Sequence, residues 1–142
     1  MIIGFEDAFM SAQADYISLC MEFAQNNVDV VYGYIYQTPN MQMCNAFFRK
    51  DGAIKTLADL GSSDQIFDFF DVGCEDVDKI LEVCERYEHK CPCEIKMIYD
   101  VKTGHFDAHY EYADLTANKD FGVDKLFVDW MEEERNKQSD AK

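Results

Sequence analysis

Two groups of side chains are of types that could do chemistry. His105-x-Asp107-x-His109 sets three proton carriers or metal ligands at every second residue. On a strand such residues share a face, about 6.6 Å apart per two residues. A neighbouring pair could hold an ion such as zinc. The two histidines, about 13 Å apart, could not both join Asp107 on one ion. A solvated strand face is the simpler reading. The second group is Cys84, His89, Cys91 and Cys93. Thiolate and imidazole are good zinc ligands, and they would support a zinc-stabilised module or a small metal-dependent enzyme. Their spacing is not the paired C-x-x-C form. Cys84 also falls on an apolar helical stripe, where cysteine behaves as a small hydrophobe. Cys91-Pro92-Cys93 lacks the strand-to-helix setting of a thioredoxin-like redox pair.

Motifs for nucleophiles and phosphates are missing: the sequence has no G-x-S-x-G, no Walker loop and no G-x-G-x-x-G. Carboxylates abound, but acid–base catalysis needs a pair whose surroundings separate their pKa values, and spacing alone identifies none. No catalytic residue, metal ligand or cofactor site is assigned on these grounds, and a protein without turnover is expected.

The charge is more informative. Thirteen basic and 28 acidic side chains give a formal net charge of −15 over 142 residues. Nucleic-acid phosphates and anionic membrane surfaces are recognised by Lys and Arg, so both are disfavoured as partners. A basic macromolecule, or solubility alone, is favoured. Nine acids between Asp64 and Glu88 face only Lys79 and Arg86, and ten between Asp100 and Glu134 face only Lys102, Lys119 and Lys125. The negative potential is thus gathered in the C-terminal part, where it would speed capture of a cationic protein. No run of about 18 apolar residues is present to span a bilayer. Met1-Ile2-Ile3-Gly4 is too short and uncharged for a secretory signal. A cytoplasmic protein with its six cysteines reduced is expected.

These side chains need a scaffold. The clearest part runs from Cys91 to Asp114. Ile95, Met97 and Tyr99 alternate with Glu94, Lys96 and Asp100; Phe106, Ala108, Tyr110 and Tyr112 alternate with His105, Asp107, His109 and Glu111. That alternation predicts a β-hairpin with one aromatic buried face and one charged wet face, turning at Lys102-Thr103-Gly104. Upstream, Phe5, Phe9, Ala12, Tyr16, Leu19 and Phe23 predict a helix over about Phe5 to Gln25. Val28 to Gln37 and Met41 to Arg49 read as central strands covered on both faces, with a turn at Thr38-Pro39-Asn40. Asp51-Gly52 predicts a tight hairpin into a third strand, Ala53 to Leu57. Ser62 to Val72 fits neither period and reads as a loop with a short strand or turn. Glu75 to Glu88 reads as a second helix. A third opens at Asp120 or Gly122, with Val123, Leu126, Phe127 and Trp130 inward. Asn136 to Lys142 reads as a polar tail that frays. The expectation is one α+β domain over residues 1–142: a single antiparallel sheet of about five strands with three helices, in the order α-β-β-β-α-β-β-α.

Several segments resemble the YezG-like family of small bacterial antitoxin and immunity proteins. They are Ile98-Tyr99-Asp100, Thr103-Gly104-His105-Phe106-Asp107 and Tyr110-Glu111-Tyr112-Ala113-Asp114 in the hairpin. Val31-Tyr32-Gly33-Tyr34, Phe47-Phe48-Arg49-Lys50 and Asp120-Phe121-Gly122-Val123 add weaker likenesses. The sequence departs from the family at Cys91-Pro92-Cys93, where a Trp-containing segment is common. The resemblance implies a binding protein that neutralises a secreted antibacterial toxin domain, often a nuclease, and it carries no catalytic residues. A toxin-binding surface would join acids to exposed aromatic anchors. The candidate contacts are Asp68, Asp71, Glu75, Asp76, Glu111 and Asp114. A metal-dependent or zinc-stabilised protein, or a homodimeric acidic protein without a toxin, are the alternatives.

Overall fold

A computed structural model describes residues 4–39, 41–114 and 122–140. Its centre is β1 (Val30–Thr38), a strand buried along nearly its whole length. β1 pairs antiparallel with β2 (Met41–Lys50) on one side and with β4 (Glu94–Asp100) on the other. β3 (Ala53–Thr56) and β5 (Phe106–Glu111) close the two edges, giving the order β3-β2-β1-β4-β5. The α+β architecture and the five-stranded antiparallel sheet agree with the sequence.

Helices cover both faces of this sheet. α1 (Phe5–Phe23) and α3 (Ser63–Arg86) lie on one face. Their Phe9, Tyr16, Cys20, Phe69, Val77 and Ile80 pack on Val31, Ile35, Phe48, Ile95 and Met97. α4 (Val123–Asp140) lies on the other, where Phe127, Trp130 and Met131 meet Tyr32, Tyr34 and Phe47. This two-sided cover explains why β1 is apolar at successive positions rather than at alternate ones. Gly33 gives α1 room to approach: a Cβ there would stand 3.1 Å from the Tyr16 ring. The Tyr16 hydroxyl donates to the Asn45 carbonyl at 2.7 Å, so a buried polar tip is satisfied by the strand beneath it.

The turns follow their residue types. Asp51 and Gly52 both have positive φ, 52° and 83°, the twist a two-residue hairpin loop requires. In the β4–β5 loop the Asp100 carboxylate accepts from the N–H groups of Lys102 and Thr103 at 3.0 and 3.1 Å, and Gly104 takes φ 75°.

Two expectations are corrected. Ser62 to Val72 is helix, not loop: α3 begins at Ser63, with the Ser62 and Gln65 side chains forming a reciprocal capping box. A fourth helix, α2 (Leu57–Leu60), is present, opened by a second capping box of Thr56 and Asp59. It takes Leu57 from the end of the third strand. α4 runs on to Asp140, so the described part of the polar segment from Asn136 continues the helix. Asn40, Asp120 and the last two residues of the chain lie outside the described residues.

Candidate functional site

α3 is apolar along one side and acidic along the other. Phe69, Gly73, Val77, Ile80, Val83 and Cys84 are buried against α1 and the sheet. Asp64, Asp68, Asp71, Glu75, Asp78 and Glu82 are exposed and recur at steps of three and four. Such steps place side chains on one helical face, so the carboxylates form a stripe about 27 Å long at 1.5 Å per residue. Like charges at this spacing repel by about 0.2–0.5 kcal/mol per pair. Little on the helix opposes them. Lys79 lies between Asp76 at 3.6 Å and Asp15 at 3.8 Å. The Arg86 guanidinium sits over the Tyr87 ring at 5.6 Å. Two apolar groups flank the stripe: Phe67, 69% exposed, and Val72. Beside it a hollow of about 260 Å³ is lined by Leu19, Phe23, Phe69 and Val72, with Glu22 and Asp68 also in its wall.

Of the six acids picked out in the sequence, Asp68, Asp71 and Glu75 share this stripe. Asp76 does not belong to it. It is 3% exposed and turned inward beside Lys79, where burial raises its carboxyl above the ordinary range while Lys79 partly offsets the rise. Glu111 and Asp114 stand at the end of the β5 hairpin. Glu111 pairs across the strands with Glu94 on the face away from α3, and its carboxylate accepts from the Ala113 N–H at 3.0 Å. The proposed contacts are therefore not one patch.

The metal candidates do not converge. Cys84 and Cys91 share a thiol hydrogen bond on the α1/α3 side of the sheet. Cys93 lies with the opposite core, its Sγ 3.6 Å from the Tyr112 carbonyl. The His89 ring stacks on Phe5 at 4.0 Å, with Nδ1 2.7 Å from the Lys90 carbonyl. His109 Nε2 lies 3.3 Å from Asp107 on the exposed side of β5. Among the described residues no group of three His, Cys, Asp or Glu side chains is placed to hold an ion. No described helix is long and apolar enough to cross a membrane.

No model of a known protein family matches this chain, and no curated protein is found to be related to it. The likeness to the YezG-like family accordingly rests on its motifs alone.

One surface was not anticipated. A groove of about 480 Å³ runs between α1 and the β4–β5 hairpin, with Met10, Ala14, Ile17 and Met21 on one wall and Tyr99 and Phe106 on the other. Its signal was present in the sequence. Met10, Ala14, Ile17 and Met21 follow steps of four, three and four, a second apolar face beside the one that buries α1.

Proposed function

We propose that this protein is an immunity or antitoxin protein of the cytoplasm that binds a cationic toxin domain, such as a basic nuclease, and blocks it without turnover. The observation that carries this reading is the carboxylate stripe of α3 with Phe67 exposed beside it. A row of like charges costs stability, and a cationic surface laid along it would turn that repulsion into attraction. Phe67 and the adjoining hollow supply apolar contact, which the charges alone lack. Binding energy usually resides in such anchors while charges set approach and orientation. The hairpin resemblance and the net charge of −15 point the same way.

The test is co-expression with a basic toxin domain encoded beside the gene. A one-to-one complex in size exclusion and restored growth are expected. The triple variant Asp68→Asn, Asp71→Asn, Glu75→Gln should bind at least about tenfold more weakly. Full affinity in that variant, or no complex with the unaltered protein, would sink the reading.

A further inference from the structure

We propose that the groove between α1 and β5 receives an amphipathic helix with a basic outer face, supplied by the cationic partner. The inference deepens the toxin-binding reading and rests on it for the identity of the partner.

The shape suits a helix. The apolar wall of α1 from Met10 to Met21 is about 16 Å long, three helical turns. Tyr99 and Phe106 form the facing wall, and the cavity of about 480 Å³ is open along its top. Met10 is 45% exposed, and Met21 is also in the wall. Methionine adapts to varied apolar surfaces and is frequent where helices are received in grooves.

A strand is a poorer occupant. The outer edge of β5 pairs with no other strand among the described residues, and its even-numbered residues point their backbone groups outward, as a receiving edge would. At Ala108, however, the N–H donates to the Asp107 carboxylate at 3.0 Å. The same edge is fastened from within: the Tyr110 hydroxyl donates to the Oε1 of the fully buried Gln13 at 3.0 Å. An incoming strand would have to displace Asp107 from the edge it protects.

Charge favours a basic occupant over a second copy. α1 carries Glu6, Asp7 and Glu22 and no Lys or Arg, while its fourth acid, Asp15, faces Lys79 of α3. Glu22 is itself part of the groove wall. Two copies at −15 each would repel as they approached. A helix with Lys or Arg outside its apolar stripe would gain from both contacts. α1 and α3 lie on the same face of the sheet, so one partner of ordinary interface size, about 800 Å² per side, could cover the α3 stripe and insert a helix here.

The probe is a fluorescein-labelled peptide of about 14 residues with Leu at helical spacing and Lys elsewhere, titrated against the full chain by anisotropy. Controls are the same peptide with Glu for Lys, and an alternating Leu/Lys strand-former. The Lys helix should bind best. Ala14→Gln, which adds bulk to the groove without charge, should weaken it about tenfold. Neutralising Asp71 and Glu75 on α3 should change it less than about threefold. If Ala14→Gln fails to fold, Ser18→Gln at the exposed rim takes its place. Equal binding by the groove variant, or preference for the Glu helix or the strand-former, would overturn the proposal. So would a dimer of the unaltered protein that Ala14→Gln dissociates. With an intact toxin domain the two ideas separate. Neutralisation lost in the α3 variant but intact in Ala14→Gln removes the groove and keeps the toxin-binding reading. No neutralisation by the unaltered protein removes that reading, while the peptide result still decides the groove.

Discussion

At position 73 a single hydrogen sets how closely α3 approaches the sheet. A Cβ on Gly73 would meet the Cys44 Sγ at 2.6 Å. Ala is normally preferred to Gly inside a helix by about 1 kcal/mol, yet here overpacking should outweigh it. Gly73→Ala is expected to lower stability by about 1–3 kcal/mol in urea unfolding, and Cys44→Ala in the same chain should recover much of that loss. Additive effects of the two changes would show that the contact is not felt. The same cysteine gives a second prediction. Burial pushes the Cys44 thiol up to about 12, so at pH 8 roughly one molecule in ten thousand carries the thiolate. Its neighbour Cys74 is exposed. Mass spectrometry after brief alkylation should find Cys74 modified and Cys44 untouched. Asp76 adds a pH dependence. Its folded pKa is raised by burial, so it binds its proton more tightly folded than unfolded. Its contribution is present below the ordinary carboxylate pKa of about 4 and is lost as pH rises through the folded value. Asp76→Asn should match or exceed the unaltered protein at pH 7, with the difference narrowing toward pH 4. The inward turn of Asp76 could not be read from a helix thought to open at Glu75, which would put it in an exposed first turn. With the helix opening at Ser63, position 76 falls three residues past Gly73 and seven past Phe69, on the buried side.

The elements differ in how plainly they were written. β1 and β2 were legible because β-branched and aromatic residues run unbroken between turn signals, and the Asp51-Gly52 hairpin because only positive φ closes so short a loop. The β4–β5 hairpin was legible through alternation, and its pairing of Ile95 with Tyr110, Met97 with Ala108 and Tyr99 with Phe106 follows it. The expected burial fails toward the edge, where Tyr110 and Tyr112 are exposed, and Ile98 on the polar side packs with the opposite core. The first three turns of α3 were not legible. Phe67 stands outside the buried face, and one exposed aromatic among Ile66, Phe69 and Phe70 blurs the helical period. The missed signal was local. Ser62 and Gln65 have capping-box spacing, and each satisfies a backbone N–H of the other's residue. Ser62→Ala should therefore lower stability by about 1 kcal/mol, measured as a shift of the urea midpoint at unchanged slope. The candidate site was half legible for the same reason. The acids were conspicuous, but only the full length of α3 reveals which of them form one row.

Across the whole molecule the net charge of −15 acts against the compact state as well as against anionic partners. Added salt screens repulsion over about 10 Å at 0.1 M. The melting temperature should rise between 10 and 300 mM NaCl, while association with a cationic toxin should slow. A melting temperature that falls with salt would mean that favourable ion pairs outweigh the repulsion. The stripe predicts a trade between stability and binding: neutralising Asp71 and Glu75 should stabilise the free protein while weakening the complex.

The chain's one tryptophan, Trp130, lies in α4, edge-on to Phe47 at 4.9 Å and to Tyr32 at 5.9 Å. It lies in the last of the described elements in chain order, so it leaves the ribosome after every strand of the sheet. Until then the tyrosine and phenylalanine side of a nearly finished sheet has no lid, and a nascent chain stalled before residue 122 would present that side to chaperones. The indole is thus an intrinsic lamp for one event in folding, the seating of α4. Its blue shift can be timed separately from the far-ultraviolet dichroism that reports on the rest.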